Sequence, residues 1–240
     1  MNDQYEIRVG GDVTGQVAAG ESVHQEQHRA GTEPSREKLV VLFLAANPLG
    51  TERLRLDEEV RDIDRRLRES EYRDRLDLRQ QWAVRASDLS DALLRHRPGV
   101  VHFSGHGSPN GRIVLEGEHG DAYEPPVSAV ADLFAIAGSS VRCVVLNACH
   151  SASLADAIAR HVDCVVGTAR AIDDDAAVRF AAGFYRGIGY GESVATAFAL
   201  GRNEIQLTAA GGASTPLLVA GRGVPPEQLR LVGDRTPPSR

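Results

Sequence analysis

The sequence predicts an α/β fold, a mostly parallel sheet with helices on both faces. Short apolar runs such as Leu39–Ala45 and Val141–Leu146 are continuous rather than alternating, the pattern of strands buried on both sides. Between them lie segments of helical periodicity, and alternation of strands with helices is the signature of a covered parallel sheet. At 240 residues, 42% hydrophobic and 25% charged, the chain can bury one full core of this kind.

In order, the pattern gives a strand at Leu39–Ala45, a helix at Leu54–Ser70, a strand at Asp77–Val84, a helix at Ser87–His96 and a strand at Val100–Phe103. Asn110 and Gly111 mark a hairpin turn, followed by a short strand at Ile113–Leu115 and an apolar helix at Val127–Ala137. Then come a strand at Val141–Leu146, a helix at Leu154–Arg160 with Ser151 and Ser153 as cap types, and a strand at Cys164–Thr168. Two helices follow, the first at Ala176–Ile188, and a last strand at Pro216–Ala220. The run Arg53 to Arg75 mixes arginine evenly with aspartate and glutamate, which describes a salt-bridged, solvated helix face.

Composition divides the chain at residues 1–37, 38–221 and 222–240. In the first part, Tyr5 to Val9 and Gln16 to Ala19 alternate around GGDVTG like a small hairpin, and Gly20 to Glu37 reads as a polar linker. A lone hairpin is marginal in water, so this segment is expected to pair with a partner, with the sheet edge or with its own copy. The last part carries four prolines and is expected to be mobile.

Several function classes drop out on charge and composition. Twenty-seven lysines and arginines against 33 acidic residues give a net charge of −6, with no basic patch for nucleic acid. No apolar stretch is long enough for a membrane span, and the polar start MNDQYEIR is not a signal peptide. Three cysteines make no complete disulfide framework, so a reducing cytoplasm is the expected compartment. His24 and His28 have helical spacing but lie in a polar stretch without the order of a zinc motif, and no metal is implied. The first strand ends in Ala46, Asn47 and Pro48 without a glycine-rich phosphate cradle, which leaves a nucleotide-binding signalling domain a minor reading and implies no cofactor.

Chemistry concentrates at two strand ends. One apolar run ends in VVHFSGHG, with His106, and the other in VRCVVLNAC, with Cys149. Open α/β sheets place active sites at the carboxyl ends of their strands. A free thiol near pKa ~8.5 is mostly protonated at neutral pH, so a nucleophilic cysteine needs a base or positive field beside it. His106 is the candidate base, and the start of the helix after Cys149 would add a favourable field. Cys149 follows His106 by 43 residues, close to the ~50 of caspases. Cys143 and Cys164 read as small buried hydrophobes. His102 lies on the same side of its strand as His106 by the two-residue period, as a core residue or a support.

HFSGHG followed by LNACHS resembles the CHAT family of caspase-like cysteine peptidases, and the likeness runs from about Lys38 to Gly221 through GTARAIDDDAAVRFAAGFYRGIGYGESVATAFALGR. The resemblance implies a caspase-like sheet, His106 as general base and Cys149 as nucleophile. It also implies an oxyanion site formed by the backbone amides of Gly107 and Cys149. Ala148 and Cys149 match the caspase signature, whereas Asn147, His150 and Ser151 depart from it, which weakens the case for caspase-type aspartate preference. By its place before Ala177, Phe180, Phe184 and Tyr185, Asp174 matches an acidic residue of the family's pocket for the substrate residue preceding the cut, where it would select lysine or arginine. The alternative is that Asp174 serves the helix start, as Asp173 or Asp175 would. The implied function is a regulated endopeptidase acting on a protein substrate in bacterial conflict or cell death, with an activator or sensor recruited through the amino-terminal segment. A catalytically silent interaction module on the same fold is the other reading.

Overall fold

The computed structural model describes residues 38–208 and 215–233. The proposed hairpin and linker within residues 1–37, His24 and His28, and the last residues from 234 lie outside the described residues.

Six strands form one sheet in the order β2-β1-β3-β6-β7-β8. These are β1 (Leu39–Ala46), β2 (Leu76–Gln81), β3 (Val100–Gly105), β6 (Cys143–Asn147), β7 (Cys164–Thr168) and β8 (Pro216–Ala220). The first five run parallel, and β8 pairs antiparallel with β7. A two-stranded hairpin, β4 (Leu115–Glu116) with β5 (Ala122–Tyr123), stands apart. The fold is therefore the mostly parallel, helix-covered sheet that the strand pattern predicts.

Alternate residues of each strand feed two separate cores. Val41, Phe43 and Ala45 of β1, with Val100, Val145 and Val166, face α1 (Leu56–Arg68), α5 (Asp174–Gly189) and α6 (Val194–Leu207). Leu42, Leu44, Val101, Phe103, Val144 and Leu146 face the opposite layer, α2 (Ala86–His96), α3 (Val127–Ala137) and α4 (Ala152–Ile158). The chain moves from β1 outward to β2 on one side and then through β3, β6 and β7 on the other. That reversal falls between β1 and β3, and open α/β sheets place ligands near such a point, at the carboxyl ends of the strands.

Helix α1 shows how local sequence sets position. Leu56, Val60, Ile63 and Leu67 make an apolar stripe at helical spacing, three acids open the helix, and Arg65, Arg66 and Arg68 sit in its last turn, all favourable to the helix dipole. Ion pairs Arg65–Asp62 and Arg68–Asp64 lie on its exposed side. Glu59 belongs to the buried side and is 3% exposed.

Some boundaries move. Strand β2 stops at Gln81 rather than Val84, because Val84 turns inward as a fully buried residue whose N–H donates to Ala45 O outside the ladder. The turn at Asn110–Gly111 forms, with Gly111 at φ +76°, but it closes only an isolated bridge between Gly107 and Ile113. The paired strands begin two residues later than Ile113, at Leu115. The segment after Gly221 also differs from the expectation of a mobile tail over residues 222–240. Leu229, Leu231 and Val232 are buried in the core beside α1, α5 and α6, and Leu229 O accepts from Val194 N at 2.9 Å. These apolar side chains outweigh the prolines nearby. Leu229→Ala should therefore cost about 2–5 kcal/mol in chemical denaturation; a loss below about 0.5 kcal/mol would mean that the segment does not pack in solution.

Candidate active site

The last cross-strand pair between β3 and β6 is Ser104 with Asn147. His106 and Cys149 each follow that pair by two residues, past the end of the ladder, at the tips of adjacent strands. Both side chains are half-buried, whereas Cys143 and Cys164 are fully buried and opposite one another in the sheet. A hydrogen bond with Cys164, reinforced by burial, pushes the Cys143 thiol well above its usual value, which makes it a poor thiolate source.

The contacts of His106 assign its ring nitrogens. Nε2 lies 2.7 Å from the carbonyl oxygen of Glu52 in the loop between β1 and α1. A carbonyl only accepts, so Nε2 carries the proton and Nδ1 is the basic nitrogen. The Cys149 sulfur accepts from the N–H of Ile172 at 3.4 Å and lies 3.8 Å from that residue's carbonyl.

Gly107 and Cys149 meet backbone to backbone. A Cβ at Gly107 would lie 1.9 Å from Cys149 O and 3.0 Å from Cys149 N. Among the described residues neither the Gly107 N–H nor the Cys149 N–H makes a hydrogen bond. His150 then turns at φ +56°, in the left-handed region, and its N–H donates to Arg170 O at 3.2 Å. Gly107→Ala should destabilise the fold by about 1–3 kcal/mol and displace the Cys149 carbonyl, seen as a lowered Tm; an unchanged Tm would show that the two tips are not in contact.

Ser151 stands at the amino-terminal cap position of α4 but does not cap it. Its hydroxyl accepts from Thr168 N at 2.9 Å and faces Leu146 O, which ties β7 to the turn after β6. Ser153 donates instead to Gly111 O at 3.4 Å. The helix field expected beside Cys149 thus comes from an uncapped helix of seven residues.

Asp173, Asp174 and Asp175 divide their roles. Asp173 is the cap of α5, its carboxylate accepting from Asp175 N at 2.9 Å. Asp174 is half-buried and accepts from Arg55 Nε at 2.8 Å and from Arg55 N at 3.3 Å, and Asp175 accepts from the other end of the same guanidinium. Arg55 is raised further above its ordinary value by these bonds, and the Asp175 carboxyl is held below the usual aspartate range. A depressed folded value means the pairing is intact above an ordinary aspartate's pKa of about 3.9 and is lost as pH falls through the folded value. In Arg55→Ala the Asp175 carboxyl should titrate back toward that ordinary value by carboxyl NMR; an unmoved midpoint would place Arg55 elsewhere in solution.

Beneath the two tips lies a polar cluster that the sequence reading did not find. His102 is fully buried, with Nε2 2.8 Å from Glu59 Oε1, Nδ1 3.1 Å from the Tyr185 hydroxyl, and its ring stacked on Phe43 at 5.1 Å. Asn147 Nδ2 donates to Glu59 Oε1 at 2.6 Å, and the Ser104 hydroxyl donates to Glu59 Oε2. Burial pushes the Tyr185 hydroxyl well above its usual value, so it stays protonated and donates to His102. The available signal was the position of Glu59, three residues after Leu56 and four before Ile63 in the apolar stripe.

A mostly parallel sheet with a histidine and a cysteine leaving neighbouring tips defines the class of caspase-like α/β folds. The CHAT domain family matches residues 13–211, and the chain belongs to that family. The match begins inside the segment that composition set apart at residues 1–37. A probable protease of Gillisia limnaea is 24% identical over 147 residues, covering 60% of this chain and 26% of that protein. A Roc-COR-CHAT protease from an unknown prokaryotic organism is 28% identical over 157 residues, covering 61% of this chain and 14% of its own length. The chain thus spans about a quarter or less of these relatives. Among solved structures, the fold is similar to a secreted C11 cysteine protease from Bacteroides thetaiotaomicron with TM-score 0.55, 10% identity and coverage of 76% of this chain and 66% of that one. The Arg-specific cysteine proteinase gingipain R gives TM-score 0.57 and 11% identity, over 80% of this chain and 47% of that one. Caspase-1 from Spodoptera frugiperda gives TM-score 0.52 and 10% identity, over 78% and 87%. Among the described residues no helix is long and apolar enough to cross a membrane.

Proposed function

We propose that this domain is a cysteine endopeptidase in which His106 is the general base, Cys149 the nucleophile and Asp174 the carboxylate that selects a basic residue before the cut. The observation that carries the reading is the meeting of the Gly107 and Cys149 backbones, which brings the segments bearing His106 and Cys149 together just past the Ser104–Asn147 pair. His106 Nδ1 takes the thiol proton, and the thiolate attacks the scissile carbonyl carbon. The carbonyl electron pair moves onto oxygen, held by the amides of Gly107 and Cys149. The imidazolium returns the proton to the leaving amine, and a water activated by the same ring hydrolyses the thioester. The protein substrate is reached in the cytoplasm under control of a protein activator bound through the amino-terminal segment, in bacterial conflict or cell death. The much greater length of the relatives is consistent with such control.

Asp174 is not empty, since the Arg55 guanidinium already spans it and Asp175. That contact supports the basic preference, because it shows an arginine fork fitting the acid pair. It also makes Arg55 an internal competitor that a substrate arginine must displace. The three side chains are 45%, 29% and 57% exposed, so the pairing is weak enough to exchange.

Peptides carrying Arg, Leu or Asp before the cut provide the test. The wild type should prefer Arg, Cys149→Ala and His106→Ala should each lose turnover by about a thousandfold or more, and Asp174→Asn should lose the Arg preference. Arg55→Ala should lower KM for the Arg peptide while leaving kcat near wild type. Retained turnover in either dyad variant removes that residue from the mechanism. A wild type and an Arg55→Ala variant that both cleave without Arg preference would remove Asp174 from the pocket.

A further inference from the structure

We propose that Glu59 is a positioning residue that fixes His106 and Cys149 relative to each other by clamping the last rung between β3 and β6; this rests on the peptidase reading above. The Glu59 carboxylate is 3% exposed and has no arginine or lysine partner among the described residues. An isolated buried carboxylate is costly, and packing alone would be served better by leucine at this point of the stripe. Here the cost is offset by three donors, Ser104 and His102 from β3 and Asn147 from β6.

The placement of those donors gives the cluster its meaning. Ser104 and Asn147 are register partners, and the ladder between β3 and β6 ends with them. Beyond that rung β3 and β6 have no further pairing with each other, the His106 tip being braced by the Gly107–Ile113 bridge, and the peptidase reading requires His106 and Cys149 to hold one geometry. A single carboxylate receiving a bond from each side of the last rung restrains the relative height and separation of the tips. Charge-assisted bonds to one acceptor are shorter and stronger than neutral ones, which makes the clamp stiff. His102 supports it from below, held by Tyr185 of α5 and stacked on Phe43 of β1. Glu59 makes no hydrogen bond to His106 or Cys149, so its action is through Ser104 and Asn147.

Glu59→Gln keeps the shape and removes the charge. Displacements of an ångström at reacting groups cost on the order of a hundredfold, so kcat on the Arg peptide should fall about tenfold or more while KM stays within about twofold. The rate of Cys149 alkylation by iodoacetamide, measured without substrate, should fall in step. Asn147→Ala should give a comparable loss. The double variant should be no worse than the poorer single by more than about twofold, because both act through one clamp. A lowered Tm with kcat and alkylation rate unchanged would make Glu59 structural only and overturn the proposal, as would losses that multiply in the double variant. Should Glu59→Gln fail to fold, Ser104→Ala with Asn147→Ala and their double carry the same test with the same outcomes. A wild-type Cys149 that alkylates no faster than a free thiol would defeat the peptidase reading and the clamp together, whereas a fast wild type with an equally fast Glu59→Gln defeats the clamp alone.

Discussion

A carboxylate can sit inside an apolar layer only if donors surround it, and meeting that requirement at Glu59 fixes much of the rest. Ser104 and His102 must come from one strand and Asn147 from the next, so β3 and β6 are held in a single register. A slip of one residue would turn every side chain of β6 to the other face and leave the carboxylate unpaired. Glu59 also seats α1, whose apolar stripe Leu56, Val60, Ile63 and Leu67 packs in the same core. Once α1 is seated, the loop leading into it brings the Glu52 carbonyl to His106 and Arg55 to Asp174 and Asp175.

The two faces of the sheet are therefore unequal. The layer of α2, α3 and α4 closes over Leu42, Leu44, Val101, Phe103, Val144 and Leu146, an aliphatic and aromatic core. The layer of α1, α5 and α6 contains the same kind of packing at its base and the Glu59 cluster near the strand tips. Three cysteines illustrate the gradient along the strand direction. Cys143 and Cys164 sit at the amino ends of β6 and β7, shielded and paired with each other, while Cys149 lies past the last rung and half-open to solvent. Burial and the neighbouring thiol together make Cys143 a poor thiolate source, and Cys149 has neither constraint to the same degree.

Charge at the mouth of the site is balanced internally. Asp174 and Asp175, adjacent at the start of α5, would repel each other, and the Arg55 guanidinium bridges them. Because all three groups touch water, the bridge is screened by salt and exchangeable. Under the proposed basic preference, affinity for a substrate side chain would be a difference between two similar interactions rather than a single strong one.

What the sequence determined by itself was local. Continuous apolar runs fixed the strands, to the residue for Cys164–Thr168 and Pro216–Ala220, and the helix Val127–Ala137 likewise. The same runs placed His106 and Cys149 at strand ends, because a strand's end is marked by its own composition. Helical spacing alone put Glu59 among apolar neighbours, but the arginine-rich surroundings of Arg53 to Arg75 describe a solvated face and hid it. The tertiary structure decided which charges were buried, which hydroxyls capped helices, and which tail residues joined the core. Glu59 meets Asn147 across 88 residues and Arg55 meets Asp174 across 119, while Ser151 gives its hydroxyl to β7 rather than to its own helix. Such partners are chosen by the order of strands in the sheet, which no local pattern encodes, because a polar group's free energy depends on what surrounds it after the chain has closed.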